Sequence, residues 1–469
     1  MATTEVNLIL QADAYKYSHY KQYPKGSEFV TSYIEPRGFA APFKNNPEVV
    51  FAGIEPILQL LKKPITLVDV MKAKRIVTAM GLPFNEEDFN RIVTEHDGFL
   101  PIEIEALPEG TVVKTKIPLV QVTNTDPTMP WLPSFIETLL LRAIWYPTTV
   151  ATLSRETKKV IKQYLELTAD DISGLPFKLH DFGARGATSH ESAALGGYGH
   201  LINFLGTDTV EAVELIYDMF DGHITNTVAG FSIPAAEHST ITTWPTEHAA
   251  YKNMLDQFGT GLVAVVSDSY DIFKACDEIW GVDLKDQIIN MGGTLVVRPD
   301  SGDPVEMTLK VIEILGNRFG WTVNTKGFKV LPKYIRMIQG DGVNLESIDR
   351  ILANFMLHGW SADNIAFGMG GALLQRLDRD SLKFAMKANE IIIDGVQHDV
   401  FKNPVTDPGK ASKKGKQLVI RQKDGSIFAV AEKTYGNYAF GEKLLQQRYK
   451  NGAVFNTPTF DEIRARAEL

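Results

Sequence analysis

The 469-residue chain has a single cysteine, Cys276, so an intrachain disulfide and a cysteine-based metal cluster are both excluded. It has no run approaching about 18 apolar residues and no basic, apolar leader, so we expect a cytoplasmic protein without a transmembrane helix or secretory signal. Positive charge is not in excess: the formal net charge of -9 disfavours nucleic acid and anionic lipid as partners. A hydrophobic content of 44% supports a large core, and the length suggests two or three domains.

Between about residues 177 and 384, short apolar runs that end in polar turns alternate with helical patterns. The runs cover residues 178–182, 262–266, 294–297, 334–338 and 364–367. Residues 263–266 are apolar without alternation, which is typical of a parallel strand covered on both faces. Repeated strand–turn–helix units predict a parallel α/β domain, either an open doubly wound sheet or a barrel.

The helices between these runs carry their own signals. Asp303, Pro304 and Glu306 read as an N-cap, a first-turn proline and a capping-box acid. Three apolar stripes follow helical spacing: Val305, Leu309 and Ile312; Ile272, Cys276 and Ile279; and Leu345, Ile348, Leu352 and Phe355. After about residue 385 this rhythm is lost, and a basic loop at 410–416 precedes strand-like runs and a terminal helix.

Polar residues are concentrated in the turns that follow the apolar runs. These turns are HDFGARG (180–186), SDSYD (267–271), RPDSGDP (298–304), QGDG (339–342) and FGMGG (367–371). In parallel α/β folds the carboxyl ends of the strands form one rim, where active sites are built. The two late glycine loops could bring backbone N–H groups to a phosphate, or could be tight turns without a ligand.

Asp268, Asp300 and Asp341 each follow a different predicted strand. Such carboxylates could bind ribose hydroxyls, or a magnesium ion held mainly by substrate phosphates, or could cap the helices that follow. His238 lies in a turn after the strand-like residues 228–233 and could act as a base, an acid or a nucleophile near neutral pH, or be structural.

Nine segments, taken in order, resemble the nicotinamide phosphoribosyltransferases, and the resemblance extends from about residue 7 to residue 469. The segments are DAYKYSHYKQYP (13–24), KLHDFGARG (178–186), NFLGTDTV (203–210), SIPAAEHSTIT (232–242), VVSDSYDI (265–272), RPDSG (298–302), RMIQGDGV (336–343), NIAFGMGGALLQ (364–375) and FKNPVTDP (401–408). The resemblance implies an incomplete TIM-like α/β barrel at 176–385 and an α+β domain formed by 1–175 with 386–469. It also implies a homodimer with its active sites at the interface.

The implied reaction transfers a phosphoribosyl group from phosphoribosyl pyrophosphate to nicotinamide. By this resemblance, Phe182 and Tyr15 of the partner subunit stack on opposite faces of the pyridine ring. Asp208 accepts a hydrogen bond from the substrate amide and repels the carboxylate of nicotinate, although it could also cap the next helix. Arg298 lies near the ring and the ribose.

The resemblance also assigns groups that bind phosphate or ribose. These are Asp300, Arg185, Gly340, Asp341, Gly370, Gly371, Arg336, Arg37, Arg379, Lys387, Lys402 and Lys410. Asp268 and Asp300 would face a magnesium ion on the pyrophosphate side. His238, oriented by Glu237, would be phosphorylated by ATP, which accelerates turnover.

Two alternatives remain at this stage: a nicotinate phosphoribosyltransferase, and a non-catalytic binding or signalling protein with the same fold. Asp208 argues against the first, and the intact His238, Asp300 and glycine loops argue against the second. The sequence departs from animal members of the family at Ala184, where they carry an aromatic residue, at Ala264, where a serine is frequent, and in a shorter stretch at 38–52.

Overall fold

The computed structural model describes residues 6–220, 228–406, 411–438 and 441–468. The chain forms two compact units. The terminal unit comprises Met1–Thr152 and Asp378–Glu468, and the central unit comprises Leu153–Leu377. In the part of the chain that is described, no helix is long and apolar enough to cross a membrane.

The strands, in chain order, are β1 (Ser27–Pro36), β2 (Val49–Val50), β3 (Ile102–Ala106), β4 (Val112–Val113), β5 (Val120–Asn124), β6 (Leu179–Asp181), β7 (Gly206–Thr207), β8 (Leu262–Val266), β9 (Thr294–Arg298), β10 (Thr322–Val323), β11 (Lys329–Val330), β12 (Ile335–Gln339), β13 (Ile365–Met369), β14 (Phe384–Ile393), β15 (Val396–Asp399), β16 (Gln417–Arg421), β17 (Ile427–Ala431), β18 (Glu442–Lys443), β19 (Gln446–Lys450) and β20 (Ala453–Val454).

The α-helices are α1 (Ile54–Leu61), α2 (Leu67–Ala79), α3 (Glu86–Glu95), α4 (Leu132–Phe135), α5 (Glu137–Thr168), α6 (His190–Leu201), α7 (Val210–Met219), α8 (His238–Thr242), α9 (Glu247–Phe258), α10 (Ile272–Lys274), α11 (Lys285–Asn290), α12 (Pro304–Phe319), α13 (Leu345–Leu357), α14 (Gly371–Leu374) and α15 (Phe460–Arg466). A π-helical segment, Ala275–Asp283, continues α10. Short 3-10 segments include Ala14–Lys21 and Ala184–Gly186.

The terminal unit is built around an antiparallel sheet with the strand order β15-β14-β1-β5-β3-β19-β20. In β3 the residues alternate between buried and half-buried, so one face of that strand packs inward. The long pairing of β1 with β14 joins the two chain segments of the unit, with Pro36 opposite Phe384. An α+β domain assembled from both ends of the chain is therefore present, as the resemblance implied.

The central unit contains a parallel sheet with the order β7-β6-β13-β12-β9-β8. Its two edge strands are hydrogen-bonded to one segment, residues 231–236. At one edge the Thr207 N–H donates to the Phe231 carbonyl (2.9 Å), and at the other the Ala236 N–H donates to the Ala264 carbonyl (2.9 Å). This segment closes the sheet into an incomplete TIM-like barrel, so the choice left open by the sequence is settled in favour of a barrel.

The five predicted strands are confirmed to within two residues at each end as β6, β8, β9, β12 and β13. Asp303 caps α12 through its carboxylate, which accepts from the Val305 and Glu306 N–H groups at 3.0 Å. The predicted capping-box role of Glu306 is not the contact observed, since its carboxylate lies 3.5 Å from the Lys310 ammonium. The helix predicted after Ser269 is α10 together with the π-helical segment.

The division between the units falls within α5, at Thr152/Leu153, and again at Leu377/Asp378. The boundaries expected from the sequence, 175/176 and 385/386, lie later in the chain. The first difference arises because α5 is one continuous helix whose two halves belong to different units.

Candidate active site

Phe182 lies at the carboxyl end of β6 and packs on the apolar interior of the barrel. That interior contains the buried residues Ala264, Val296 and Ile338. The Phe182 N–H donates to the Met369 carbonyl (3.0 Å) on the neighbouring strand. A Cβ at Gly368 would lie 2.0 Å from the phenyl ring, so this glycine lets the ring lie against β13. The half-buried ring provides a flat apolar surface at the rim.

Arg298 ends β9 and extends over the same ring. Its guanidinium carbon is 5.7 Å from the Phe182 ring centroid, and its Nη2 donates to Asp300 Oδ1 at 2.8 Å. A Cβ on Gly340, which follows β12, would lie 3.2 Å from the Arg298 Nε. Residues at the carboxyl ends of β6, β9 and β12 therefore meet here, as the sequence predicts for one rim.

His238 is the first residue of α8, and residues distant in sequence hold its imidazole. Its Nδ1 lies 3.1 Å from the Ser269 Oγ, while its Nε2 lies 3.6 Å from Asp268 Oδ1 and 3.7 Å from Asp300 Oδ2. The side chain is 47% exposed, so another molecule can reach the ring.

Glu237 was expected to orient that imidazole. In the structure Glu237 is instead the N-cap residue of α8, and its carboxylate accepts a hydrogen bond from the Ser239 hydroxyl. The groups beside the imidazole are those of Ser269, Asp268 and Asp300. The structure therefore assigns the orienting contacts to residues of the β8 and β9 turns.

The Asp268 carboxylate supports the neighbouring turn with one oxygen only. Oδ2 accepts from the Asp300 N–H (3.1 Å) and from the Ser301 hydroxyl, while the buried Oδ1 has no hydrogen-bond partner within the described residues. Those residues contain no group of three or more His, Cys, Asp or Glu side chains able to hold a metal by themselves. The carboxylates of Asp268 and Asp300, with the Asp268 Oδ1 not hydrogen-bonded among the described residues, fit a cation whose other ligands come from a bound substrate.

Asp208 lies between β7 and α7, with an exposed side chain. Its carboxylate accepts from the Ser232 hydroxyl, and the N-cap position of α7 is occupied by Thr209. The alternative that Asp208 caps this helix is therefore not the observed arrangement. Burial lowers the pKa of the nearby His180, and the Asp208 charge opposes that effect.

The glycine loop after β13 adjoins the turn after β6. A Cβ on Gly186 would lie 3.8 Å from the Gly371 Cα, and Arg185 in the same turn is exposed. Gly370 precedes α14, and a Cβ there would lie 3.5 Å from the Phe182 carbonyl. In the QGDG loop, the Asp341 carbonyl accepts from the Gln339 side-chain amide at 2.8 Å, and Asp341 is exposed.

Arg336 does not lie at this rim. It is the second residue of β12, and its guanidinium donates to the carbonyls of Leu331, Pro332 and Ile335 at 2.8–3.0 Å and approaches Asp363 at 3.4 Å. Leu331, Pro332 and Asp363 precede their strands, so Arg336 faces the amino ends of the sheet. The expectation that it binds phosphate or ribose is therefore wrong, and its role is to bind the preceding loop.

The remaining candidate residues belong to the terminal unit. Burial lowers the pKa of Lys387 on β14; Glu137 opposes this, whereas Arg37, Lys402 and Arg379 add to it. Arg37, Lys402 and Arg379 are thus each close enough to Lys387 to influence its charge. Tyr15 is 57% exposed in the segment Ala14–Lys21, and Lys410 lies outside the described residues.

Two site residues, Ser232 and Ser269, were not singled out from the sequence, although both stand inside quoted segments. Each donates or shares a hydrogen bond with a predicted residue, Asp208 and His238 respectively. Their position in turns at the same rim is the only signal that could have identified them.

Residues 177–453 match the Nicotinate phosphoribosyltransferase (NAPRTase) family, and residues 7–104 match the Nicotinamide phosphoribosyltransferase, N-terminal domain. The chain is 46% identical over 470 residues to a nicotinamide phosphoribosyltransferase of Xanthomonas campestris pv. campestris (strain 8004), covering 98% of each chain. It is 32% identical over 502 residues to one of Acinetobacter baylyi, covering 98% of this chain and 97% of the relative.

Two solved structures share the fold. A nicotinate-nucleotide pyrophosphorylase from Pyrococcus furiosus superposes with a TM-score of 0.62 at 17% identity, covering 100% of this chain and 97% of that one. Human nicotinic acid phosphoribosyltransferase gives a TM-score of 0.59 at 17% identity, covering 98% and 93%. At these identities the likeness concerns architecture alone.

Proposed function

The chain belongs to the nicotinate phosphoribosyltransferase family and to the nicotinamide phosphoribosyltransferases that its curated relatives represent, and from this premise we propose that it makes nicotinamide mononucleotide. The substrates are nicotinamide and phosphoribosyl pyrophosphate, and the second product is pyrophosphate. The reaction belongs to NAD salvage.

The position of Asp208, whose N–H donates to the carbonyl of Asp181 directly before Phe182, supports nicotinamide as the substrate. A carboxylate accepts a hydrogen bond from an amide NH₂, whereas it repels the carboxylate of nicotinate. The Ser232 hydroxyl donates to Asp208 Oδ1, which fixes that oxygen and leaves the second oxygen for the substrate. Phe182 supports the neutral pyridine ring from below, with Arg298 beside it.

The chemistry we propose is displacement at C1 of the ribose. The pyridine nitrogen forms the new bond to C1, and the bond from C1 to the pyrophosphate oxygen breaks with its electron pair leaving on pyrophosphate. The nitrogen carries a lone pair and no proton, so no general base is required. The slot holds that nitrogen in line with C1, which is the contribution of orientation.

The other residues at the rim bind the 5′-phosphate, the ribose and the pyrophosphate side of the substrate. Arg185 with Gly370 and Gly371 binds the 5′-phosphate, and Asp300, Gly340 and Asp341 contact the ribose. Asp268 and Asp300 would hold a magnesium ion together with substrate phosphates, and that ion would supply charge neutralisation for the departing pyrophosphate. The buried Asp268 Oδ1 accepts no hydrogen bond within the described residues, which supports this assignment.

We further propose that a His238 imidazole nitrogen accepts the γ-phosphoryl group of ATP with ADP leaving, and that water later hydrolyses the phosphohistidine to phosphate. This cycle would increase turnover. The half-exposed imidazole lies between Ser269 and the two carboxylates assigned to the pyrophosphate side. A covalent phosphate at this position would change the charge beside those carboxylates, which links ATP hydrolysis to substrate and product binding.

A cytoplasmic homodimer completes the proposal. The exposed Tyr15 would cover the second face of the pyridine ring in the partner's slot, and the cluster Arg37, Arg379, Lys387 and Lys402, with Lys410, would gather phosphates. The exposure of Tyr15 and the influence of Arg37, Arg379 and Lys402 on Lys387 support this role.

The proposal is tested by incubating purified protein with phosphoribosyl pyrophosphate, magnesium and nicotinamide, and identifying the products by mass. We expect nicotinamide mononucleotide and pyrophosphate in equal amounts. An Arg298→Met variant should form little product, because the cation beside the ring and ribose is lost. Absence of any nucleotide from the wild-type protein would refute the assignment.

A further inference from the structure

Asp181, the last residue of β6, is a fully buried carboxylate to which the proposed reaction assigns no role. Its Oδ1 accepts a hydrogen bond from the Gly183 N–H at 2.7 Å. Its Oδ2 is buried, and the described residues supply it with no hydrogen-bond partner. The residue directly precedes Phe182, and its carbonyl accepts from the Asp208 N–H at 2.9 Å.

The structure makes space for this carboxylate. A Cβ on Gly197 of α6 would lie 3.1 Å from Asp181 Oδ2, and a Cβ on Gly183 would lie 3.0 Å from Oδ1. The buried side chain of Thr209, at the start of α7, also faces this carboxylate and lowers its pKa. Glycines on two sides therefore let α6 and the β6 turn close around a charged group behind the barrel wall.

Retaining a charge in such a place opposes stability. Burial raises the pKa of Asp181 to about 6, and the charges of Asp208 and Glu211 act in the same direction, whereas the Gly183 N–H and the Thr209 side chain act against them. The described residues place no salt-bridge cation on this carboxylate. A buried carboxylate that lowers stability calls for a function, and its 2.7 Å contact with the Gly183 N–H indicates one.

We propose that Asp181 is a positioning residue for the pyridine slot: its Oδ1 fixes the Gly183 N–H and so the turn that carries Phe182 and Arg185. The inference rests on the proposed function in one respect only, namely that the ring of Phe182 receives the pyridine substrate. Asp181 touches no substrate and acts through the turn.

Loss of this hydrogen bond would affect both the orientation of the Phe182 ring and the position of the Arg185 guanidinium, which is proposed to bind phosphate. Phe182 is held on one side by Gly368 and through its own N–H by Met369, but the direction of the chain after it depends on Gly183. If the Gly183 N–H loses its acceptor, the turn gains freedom, and both the aromatic face and the Arg185 guanidinium lose their fixed positions.

Two variants of similar shape separate the hydrogen bond from the charge. Asp181→Asn keeps an oxygen for the Gly183 N–H and removes the charge, whereas Asp181→Leu keeps the branching and removes both. We expect the Leu variant to raise the KM for the pyridine about tenfold, with a smaller change in kcat, and the Asn variant to stay within about threefold of wild type.

Asn364→Ala is the matched control. Asn364 is a buried side chain directly before β13, where its Oδ1 accepts from the Leu331 N–H at 2.8 Å and its Nδ2 donates to the Lys329 and Ser361 carbonyls. Its loss therefore removes turn contacts at the amino ends of the strands, away from Phe182. Its KM should match wild type even if its melting temperature falls. Assays are run well below the lowest melting temperature of the set.

Equal KM values for the Leu and Asn variants would overturn the positioning role, as would an equal rise in Asn364→Ala. If the wild type uses only nicotinate, the proposed substrate falls, but the same KM comparison with nicotinate still decides the role of Asp181. If the wild type turns over neither pyridine, calorimetric binding of nicotinamide to the wild type, Asp181→Asn and Asp181→Leu decides the positioning role. Absence of binding by the wild type would overturn that role.

Discussion

The buried charge of Asp181 predicts a stability that falls as pH rises through the acid range. Its pKa is raised from the ordinary 3.8 to about 6, with burial as the first cause. A group whose pKa is higher in the folded protein contributes stability below its unfolded pKa, and loses that contribution as pH rises through the folded pKa. The difference between 3.8 and about 6 corresponds to about 3 kcal/mol of unfolding free energy.

Asp181→Asn removes this titration. Relative to the variant, the wild type should therefore become less stable by about 3 kcal/mol between about pH 4 and pH 7, with no further change above that range. Any fixed effect of the amide on packing cancels, because only the change with pH is compared. Urea unfolding at several pH values measures it, with hydrogen exchange of the β6 amides reporting on the central unit.

Asp126→Asn provides a control of opposite sign. Burial tends to raise the pKa of Asp126, but hydrogen bonds from Thr128 and His96 and the charge of Arg91 hold it below its ordinary value. Its contribution should therefore be lost as pH falls. Parallel pH profiles for wild type and Asp181→Asn would refute the reasoning about the buried charge.

Four further outcomes follow from the site. Asp208→Asn should lower the preference for nicotinamide over nicotinate by about 10- to 100-fold in kcat/KM, since a charged acceptor is lost; equal preference in both proteins would contradict its role. Phe182→Ala should raise the KM for nicotinamide about tenfold or more, measured at saturating phosphoribosyl pyrophosphate. In His238→Asn, added ATP should no longer increase the rate of product formation, and persistent stimulation would exclude this histidine. Arg336→Met should lower the free energy of unfolding by about 1–3 kcal/mol while leaving the KM for phosphoribosyl pyrophosphate unchanged.

Much of the central unit could be predicted because its strands are covered on both faces. The run at 263–266 is apolar at every position, and all four residues are buried in β8. Residues 228–233 are strand-like in the sequence, but their role in closing the barrel could not be predicted, because Phe231 and Ala235 each make a single bridge to an edge strand. A single bridge at each edge leaves no signal in the sequence that tells which strands it joins.

The errors at the site have a common physical origin. The resemblance assigns Arg336 to phosphate or ribose, yet it stands three residues before Gln339, the last residue of β12, roughly 10 Å away along an extended chain. Glu237 was assigned to His238 because they are adjacent, but the imidazole contacts Ser269, 31 residues later. Position along a strand and contacts across turns are properties of the folded chain.

The central claim is that this site selects the amide. Equal concentrations of nicotinamide and nicotinate are placed in one reaction with phosphoribosyl pyrophosphate and magnesium, with and without ATP, and the two mononucleotides are quantified by mass. We predict nicotinamide mononucleotide in large excess in both reactions, and more of it with ATP. An excess of nicotinate mononucleotide would contradict the account of Asp208 and of the slot beside it.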